Sequence, residues 1–99
     1  MPTDPTPSPV LNLDALRKYI DREARLWGSL VRQRRKLCGL TLAELGGMTG
    51  TAPQTVHKVE RGEIAARDHL RIALAVALRC EVADLFPVPK LQTILGEVA

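Results

Sequence analysis

Aromatic residues are scarce in this chain of 99 residues, where they make up 3% and are limited to Trp27, Tyr19 and Phe86. Proteins that bind single-stranded nucleic acid by stacking its bases need several exposed aromatic rings. So few rings argue against a stacking platform of that kind.

Cysteine is scarce as well. The two cysteines, Cys38 and Cys80, lie far apart in the sequence and form neither a Cys-x-x-Cys motif nor a Cys/His pattern with metal-ligand spacing. His57 and His69 do not complete such a pattern. We therefore expect no metal site and no cofactor, and we expect both thiols to be reduced and to act as small apolar side chains.

Long apolar runs and targeting signals are also missing. No stretch approaches the roughly 18 apolar residues of a membrane span, and the opening sequence MPTDPTPSPV has neither the basic start nor the apolar run of a signal peptide. Nucleophile elbows, phosphate-binding glycine loops and paired catalytic carboxylates are absent too. These absences predict a cytoplasmic protein that is not an enzyme and does not bind membranes.

The chain is instead rich in aliphatic and basic residues. Hydrophobic residues make up 45% of it, as in a single small helical bundle, and its net charge is +3. The basic residues are concentrated in residues 17–36, which contain eight Lys or Arg and two acidic residues. Such a run is either a solvated helix face or a surface that attracts phosphates, and composition alone does not choose between them.

The pattern of apolar residues first becomes helical at Asn12, which is a suitable N-cap. Before it, residues 1–11 are rich in proline and are predicted to form a disordered tail. After it, the helix either runs to Leu37 in one piece or breaks into two near Gly28. Apolar residues at spacings of three and four along it are Leu13, Leu16, Ile20, Trp27, Leu30 and Leu37.

Shorter helices follow. Thr41 and Glu44 form a capping box that begins a helix over residues 42–48, and Pro53 suits the first turn of the next helix, which ends near Arg61. A longer helix precedes a last short one over residues 81–86. The residues of the longer helix predicted to face inward are Leu70, Leu74, Ala77 and Leu78, with Ile72 and Ala75 nearby. The final apolar stripe, which fits a helix or a strand, contains Leu91, Ile94, Leu95 and Val98.

Several motifs within RRKLCGLTLAELGGMTGTAPQTVHKVERG, residues 34–62, occur at a characteristic spacing along the chain. The Glu44-Leu45 pair is followed by a turn glycine at Gly50, and VERG at the end is similar to an IERG signature. The segment resembles the DNA-binding domain of the phage repressor/Cro group, the lambda-repressor-like or XRE-type family. The resemblance implies an all-α fold, a five-helix lambda-repressor-like helix-turn-helix bundle. Its implied divisions are a helical extension over 12–25, a DNA-binding domain over 26–86, and a tail over 87–99, which is a short helix or strand and a candidate dimerisation element.

The resemblance also implies which residues meet DNA. Pro53, Gln54 and Lys58 stand where the family contacts base edges, and the major groove is wide enough for one helix. Gln54 can pair with N6 and N7 of adenine, and Lys58 can donate to O6 and N7 of guanine. Thr55 and Arg61 stand at positions that contact the DNA backbone, and we expect His57 to lie in solvent or beside a phosphate.

A structural ion pair is implied as well. In the family, the residues at positions 35 and 60 form a buried bridge between the first helix and the recognition helix, so Arg35 and Glu60 are expected to pair. Several positions, Gly47 beside Gly46 among them, depart from the family pattern, and these departures lower the expected DNA affinity more than they change the expected fold. Ala52 provides no side-chain cap, Leu42 replaces a glutamine that often contacts phosphate, and the loop before residue 70 is poor in basic residues.

Together these features predict a sequence-specific DNA-binding transcriptional regulator of repressor/Cro type, from a phage or a bacterium. It would bind double-stranded operator DNA as a homodimer. The alternative is a protein-interaction module, such as an antitoxin-like or adaptor protein with weak DNA binding, whose N-terminal helix docks a protein partner. Salt separates the two, because phosphate contacts weaken steeply with added salt, whereas apolar docking through Leu13, Leu16 and Ile20 hardly responds.

Overall fold

The computed structural model describes residues 12–88, and over this range the chain forms α-helices and no strand. This confirms the predicted all-α, lambda-repressor-like class. In chain order the five helices are α1 (Leu13–Leu37), α2 (Leu42–Thr49), α3 (Pro53–Glu60), α4 (Asp68–Ala77) and α5 (Val82–Leu85). Because residues 1–11 and 89–99 lie outside the described range, the predictions of a disordered tail and of an apolar stripe from Leu91 to Val98 are not addressed by it.

Helix α1 is a single helix of 25 residues. The Asn12 side chain accepts a hydrogen bond of 3.1 Å from the Ala15 amide, as predicted for an N-cap. The helix runs through Gly28 without a break, and that glycine is required for packing. A Cβ atom at position 28 would overlap with the carbonyl oxygens of Val59 and Glu60, so α3 ends directly against the α1 backbone.

Helices α2 and α3 form the compact pair that follows. The predicted capping box is present, with Glu44 N donating to Thr41 Oγ1 at 3.0 Å and Thr41 N donating to Glu44 Oε1 at 3.1 Å. Helix α2 ends at Gly50, whose φ of +68° falls in the left-handed region that favours glycine. A Cβ at Gly46 would lie 2.5 Å from the Thr51 carbonyl oxygen, so the turn also packs closely on α2.

The hydrophobic core lies between α1, α2, α3, α4 and α5. Its fully buried side chains are Val31, Leu45, Val56, Leu74, Leu78 and Leu85. The prediction that Ile72 lies near the core is wrong, since its side chain is 56% exposed. Ile72 is two positions from both Leu70 and Leu74, about 160° around the helix from each, and therefore faces the opposite side.

Trp27 joins α1 to the end of the chain's last described helix. Its indole nitrogen donates to the Pro87 carbonyl oxygen at 3.0 Å, and its ring meets that of Phe86 edge-on, with centroids 6.3 Å apart. The Arg71 guanidinium lies 5.4 Å from both ring centroids. This cluster fixes where the chain emerges from α5. None of the helices between residues 12 and 88 is long and apolar enough to cross a membrane.

The contact at Gly28 gives a testable prediction. We expect Gly28→Ala to destabilise the protein by about 1–3 kcal/mol, because the new methyl group meets backbone atoms that cannot move aside without shifting α3. Gly47→Ala in α2 is the matched control. A Cβ there has no neighbour within 4 Å, so better helix propensity should raise stability by about 0.5–1 kcal/mol. Urea unfolding measures both; a stabilised Gly28→Ala variant would contradict the packing.

Candidate nucleic-acid interface

Helix α3 has one buried side and one exposed side. Val56, Val59 and Glu60 are buried, with exposed fractions of 1%, 3% and 7%. The exposed side carries, at spacings of three and four residues, Gln54, His57, Lys58 and Arg61. At about 100° per residue these four side chains fall on one stripe. Polar and basic side chains therefore project together from the exposed side of α3, while the buried residues on its opposite side hold the helix in place.

The start of α3 has fewer satisfied backbone groups than the start of α2. Ala52 provides no side-chain cap, as its residue type implied, and Pro53 occupies the first turn and is exposed. Thr55 is half-buried beside it. Because Pro53 has no amide hydrogen, it removes one of the donors that a helix start leaves without an intrahelical partner. A helix start that faces solvent tolerates the missing cap.

The structure brings Arg35 and Glu60 together as a buried, two-pronged ion pair. Arg35 Nε donates to Glu60 Oε2 at 2.7 Å and Nη2 donates to Oε1 at 3.0 Å, while Nη1 donates to the Leu40 carbonyl oxygen at 2.9 Å. The side chains are 12% and 2% exposed. Hydrogen bonding to Glu60 raises the pKa of Arg35, against the opposing effect of burial. The pair ties the last residue of α3 to α1.

Arg34, the neighbour of Arg35, is also part of the scaffold. Its Nε donates to the Leu78 carbonyl oxygen at 3.0 Å and its Nη2 donates to the Arg79 carbonyl oxygen at 3.0 Å, at the end of α4. Cations at a helix C terminus satisfy its free carbonyl groups. Arg34 and Arg35 are therefore bound within the protein, and the 17–36 run is not a uniform solvated face.

A depression of about 450 Å³ lies on one side of α3, and we refer to it as the α1-side depression. Its lining residues are Arg32, Arg35, Leu42, His57, Glu60 and Arg61. Arg32 was not among the residues that the sequence assigned to DNA. The signal was available, since Arg32 precedes Arg35 by three residues on α1 and so faces the same way. Arg61 also forms an exposed ion pair of 3.1 Å with Glu63.

A second depression, of about 210 Å³, lies on the other side of α3, and we refer to it as the α4-side depression. It is lined by Thr51, Thr55, Ile64, Ala65, Arg67, His69 and Leu70. Arg67 and His69 stand at the start of α4, where the helix dipole also favours negative charge. The exposed stripe of α3 is thus bordered on both sides by concave surfaces that contain basic side chains.

Among residues 12–88, no three His, Cys, Asp or Glu side chains lie close enough together to hold a metal ion. Cys38 and Cys80 are free thiols. Burial raises the pKa of the Cys80 thiol, which keeps it in the protonated, less nucleophilic form.

The fold and the exposed helix define a helix-turn-helix protein. Residues 31–85 match the family model described as helix-turn-helix. This match covers more than half of the 99 residues, and the chain belongs to the lambda-repressor-like, or XRE, family of helix-turn-helix proteins. No curated protein sequence matches the chain significantly.

The chain is also similar to several solved structures. The restriction-modification controller protein C.AhdI from Aeromonas hydrophila is 29% identical, with a TM-score of 0.64 over 66% of this chain and 98% of its own. The P22 c2 repressor, crystallised with synthetic operator 9T, is 32% identical, with a TM-score of 0.61 over 63% of this chain and 94% of its own. The clp gene regulator ClgR from C. glutamicum is 27% identical, with a TM-score of 0.60 over 78% and 94%.

The Arg35–Glu60 pair gives the second prediction. We expect Arg35→Met to lower the free energy of unfolding by about 3–5 kcal/mol, because the buried Glu60 carboxylate loses its partner. Glu63→Gln, which breaks the exposed pair with Arg61, is the control and should change stability by less than about 1 kcal/mol. Chemical denaturation measures both variants.

A double variant tests the cause of this loss. Arg35→Met combined with Glu60→Leu removes the stranded charge, so it should be more stable than Arg35→Met alone. If the double variant were as unstable as the sum of the two single changes, the pair would not act as a unit.

Proposed function

We propose that this protein is a DNA-binding transcriptional regulator that reads operator DNA with α3. The observation that carries the proposal is the exposed polar stripe of α3, which is anchored by buried residues on its opposite side and bordered by basic depressions. Membership of the lambda-repressor-like family supports it. So does the P22 c2 repressor, which was solved on a synthetic operator.

The dimensions of α3 suit this task. An α-helix with its side chains is about 10–12 Å across, and the major groove of B-DNA is about 12 Å wide. Gln54 and Lys58 are one helical turn apart and both exposed. In the groove, Gln54 would accept from N6 and donate to N7 of adenine, and Lys58 would donate to O6 and N7 of guanine. Pro53 would offer an apolar contact, as to a thymine methyl group.

The two depressions would receive the phosphates on either side of the groove. Arg32 and Arg61 would donate to one strand, with His57 beside them. Arg67 and the Thr55 hydroxyl would donate to the other strand. Contacts of this kind fix the register of the recognition helix without reading sequence. In this arrangement Arg32 supplies the cation at the place where Leu42 provides only an apolar surface.

The proposed mode of action is that of a repressor/Cro-type protein in a phage or a bacterium. It would occupy an operator and thereby exclude or recruit polymerase. A homodimer would place its two recognition helices in half-sites about 34 Å, or one helical turn, apart. Selection of bound DNA from a random pool tests this mode directly, because a dimer should return a palindromic site with that spacing.

Base reading by α3 is tested by Gln54→Ala and Lys58→Ala. Each change should relax the preference for one base position and weaken binding to the preferred site by about 1–3 kcal/mol. Gln33→Ala on the far side of α1, where Gln33 bonds only to Ser29 in an exposed contact, is the matched control. The measurement is competition binding against sites with single base changes. An unchanged base preference in both α3 variants would refute this reading.

Phosphate contacts by the two depressions are tested by Arg32→Ala and Arg67→Ala. Each should weaken binding to every sequence alike and should reduce the slope of log K against log salt by about 0.9. Arg17→Ala is the control, because Arg17 lies about 22 Å along α1 from Arg32, well beyond the screening length of about 8 Å. Affinity that does not depend on salt would favour the protein-interaction alternative.

A further inference from the structure

Arg61, one of the residues proposed to contact phosphate, already has an acidic partner in the unbound protein. Its Nε atom lies 3.1 Å from Glu63 Oε1, in an ion pair whose side chains are 62% and 45% exposed. Water screens a pair of this kind, so it contributes little to stability and can be exchanged for another partner. A ligand that approaches from solution can reach both members of the pair.

The backbone holds Glu63 beside Arg61. The Glu63 amide donates to the Lys58 carbonyl oxygen at 2.9 Å, and the Gly62 amide donates to the Val59 carbonyl oxygen at 3.0 Å. These two bonds close the C terminus of α3, with Gly62 in the left-handed region at a φ of +72°. The backbone of Glu63 is thus part of the cap of α3, and it keeps the carboxylate within reach of Arg61.

The pair adds a negative charge to a basic surface. Among the residues that line the α1-side depression, Glu60 is neutralised by its buried pair with Arg35. Arg32 and Arg61 are the other two arginines of this lining, and both belong to the proposed contact with one DNA strand. An anion that enters the depression therefore meets Glu63 as a competitor for the Arg61 guanidinium.

Carboxylate and phosphate oxygens accept hydrogen bonds from the same guanidinium groups. Because Arg61 Nε carries a single hydrogen, it cannot bond to Glu63 and to a phosphate oxygen with good geometry at the same time. We propose that Glu63 competes with the DNA phosphate for Arg61 and thereby lowers the affinity of the protein for every DNA sequence. This inference rests on the proposed DNA-binding function and concerns the strength of that binding.

The competition acts on affinity and not on base preference. Phosphate contacts supply affinity that all sequences share, whereas Gln54 and Lys58 are the residues proposed to read bases. A weaker contact at Arg61 leaves a larger share of the binding free energy to these two residues. It also raises the protein concentration at which an operator is occupied, so Glu63 sets the concentration range over which the regulator works.

Glu63→Gln tests the proposal, because it removes the charge and keeps the shape of the side chain and an acceptor oxygen. We expect this variant to bind both a duplex selected from a random pool and an unrelated duplex about twofold to fivefold more tightly at about 0.15 M salt. The gain should shrink as salt is added, since screening weakens the ion pair that the variant lacks. Fluorescence anisotropy of labelled duplexes measures both affinities.

Asp14→Asn is the matched control. It makes the same change in net charge, at an exposed position in the first turn of α1. Asp14 lies about 16 Å along the helix from Arg25, the residue on which Gly62 packs. This distance exceeds the screening length of about 8 Å at 0.15 M salt, so the DNA affinity of Asp14→Asn should be unchanged. An equal gain in Asp14→Asn and Glu63→Gln would show a general effect of net charge and would overturn the proposal.

A double-variant cycle shows whether Glu63 acts through Arg61. In an Arg61→Ala protein, Glu63→Gln should lose most of its effect on affinity, because the guanidinium for which Glu63 competes is gone. An effect of the same size in both backgrounds would overturn the proposal, and so would unchanged or weaker binding by Glu63→Gln itself. Glu63→Ala, with the same expected gain, replaces Glu63→Gln if that variant does not fold. If the unaltered chain binds neither duplex, the proposed function is wrong, and this inference is wrong with it.

Discussion

The orientation of α3 depends on the buried ion pair between Arg35 and Glu60. This helix has only eight residues, and an isolated helix shorter than about 12 residues is marginal in water. Its buried apolar residues are just Val56 and Val59, and apolar contacts do not by themselves impose a direction. The two parallel hydrogen bonds from Arg35 to Glu60 fix the orientation of α3, because both can form only when the last residue of α3 lies at one position along α1.

Glycine provides the complementary constraint at both ends of the same helix. At its C-terminal end the backbone of α3 rests on Gly28, and at its start the preceding turn rests on Gly46. In both places a side chain on the supporting helix would push α3 outward. A polar anchor, two apolar residues and two close backbone contacts together fix a short element that exposes its other side to solvent. Such an arrangement can keep the proposed recognition surface rigid although the helix that carries it is small.

Local signals in the sequence predicted the helix boundaries well, whereas contacts between distant residues were harder to predict. The caps at Asn12 and Thr41 depend on residues within three positions, and the structure confirms both. Periodicity left open whether α1 is continuous through Gly28, and it gave no sign that this glycine packs against the end of α3, some thirty residues away. The same holds for Arg34, whose partners lie at the end of α4. The number of basic residues in a segment says little about which of them are available to bind phosphate, because some are bound by groups from other helices.

The difference between basic residues bound within the protein and those left exposed determines which of them could contact DNA. Within the basic run, Arg34 and Arg35 are bound to the scaffold, while the proposed phosphate-binding residues come from three separate places, Arg32 on α1, Arg61 after α3 and Arg67 before α4. These residues converge only in the folded chain. Binding to DNA would then select the folded state and stabilise it by RT ln(1 + [DNA]/Kd). Conversely, any change that lowers the folded population would lower apparent affinity even at sites far from DNA. Affinity and stability in this protein would therefore be linked through α3.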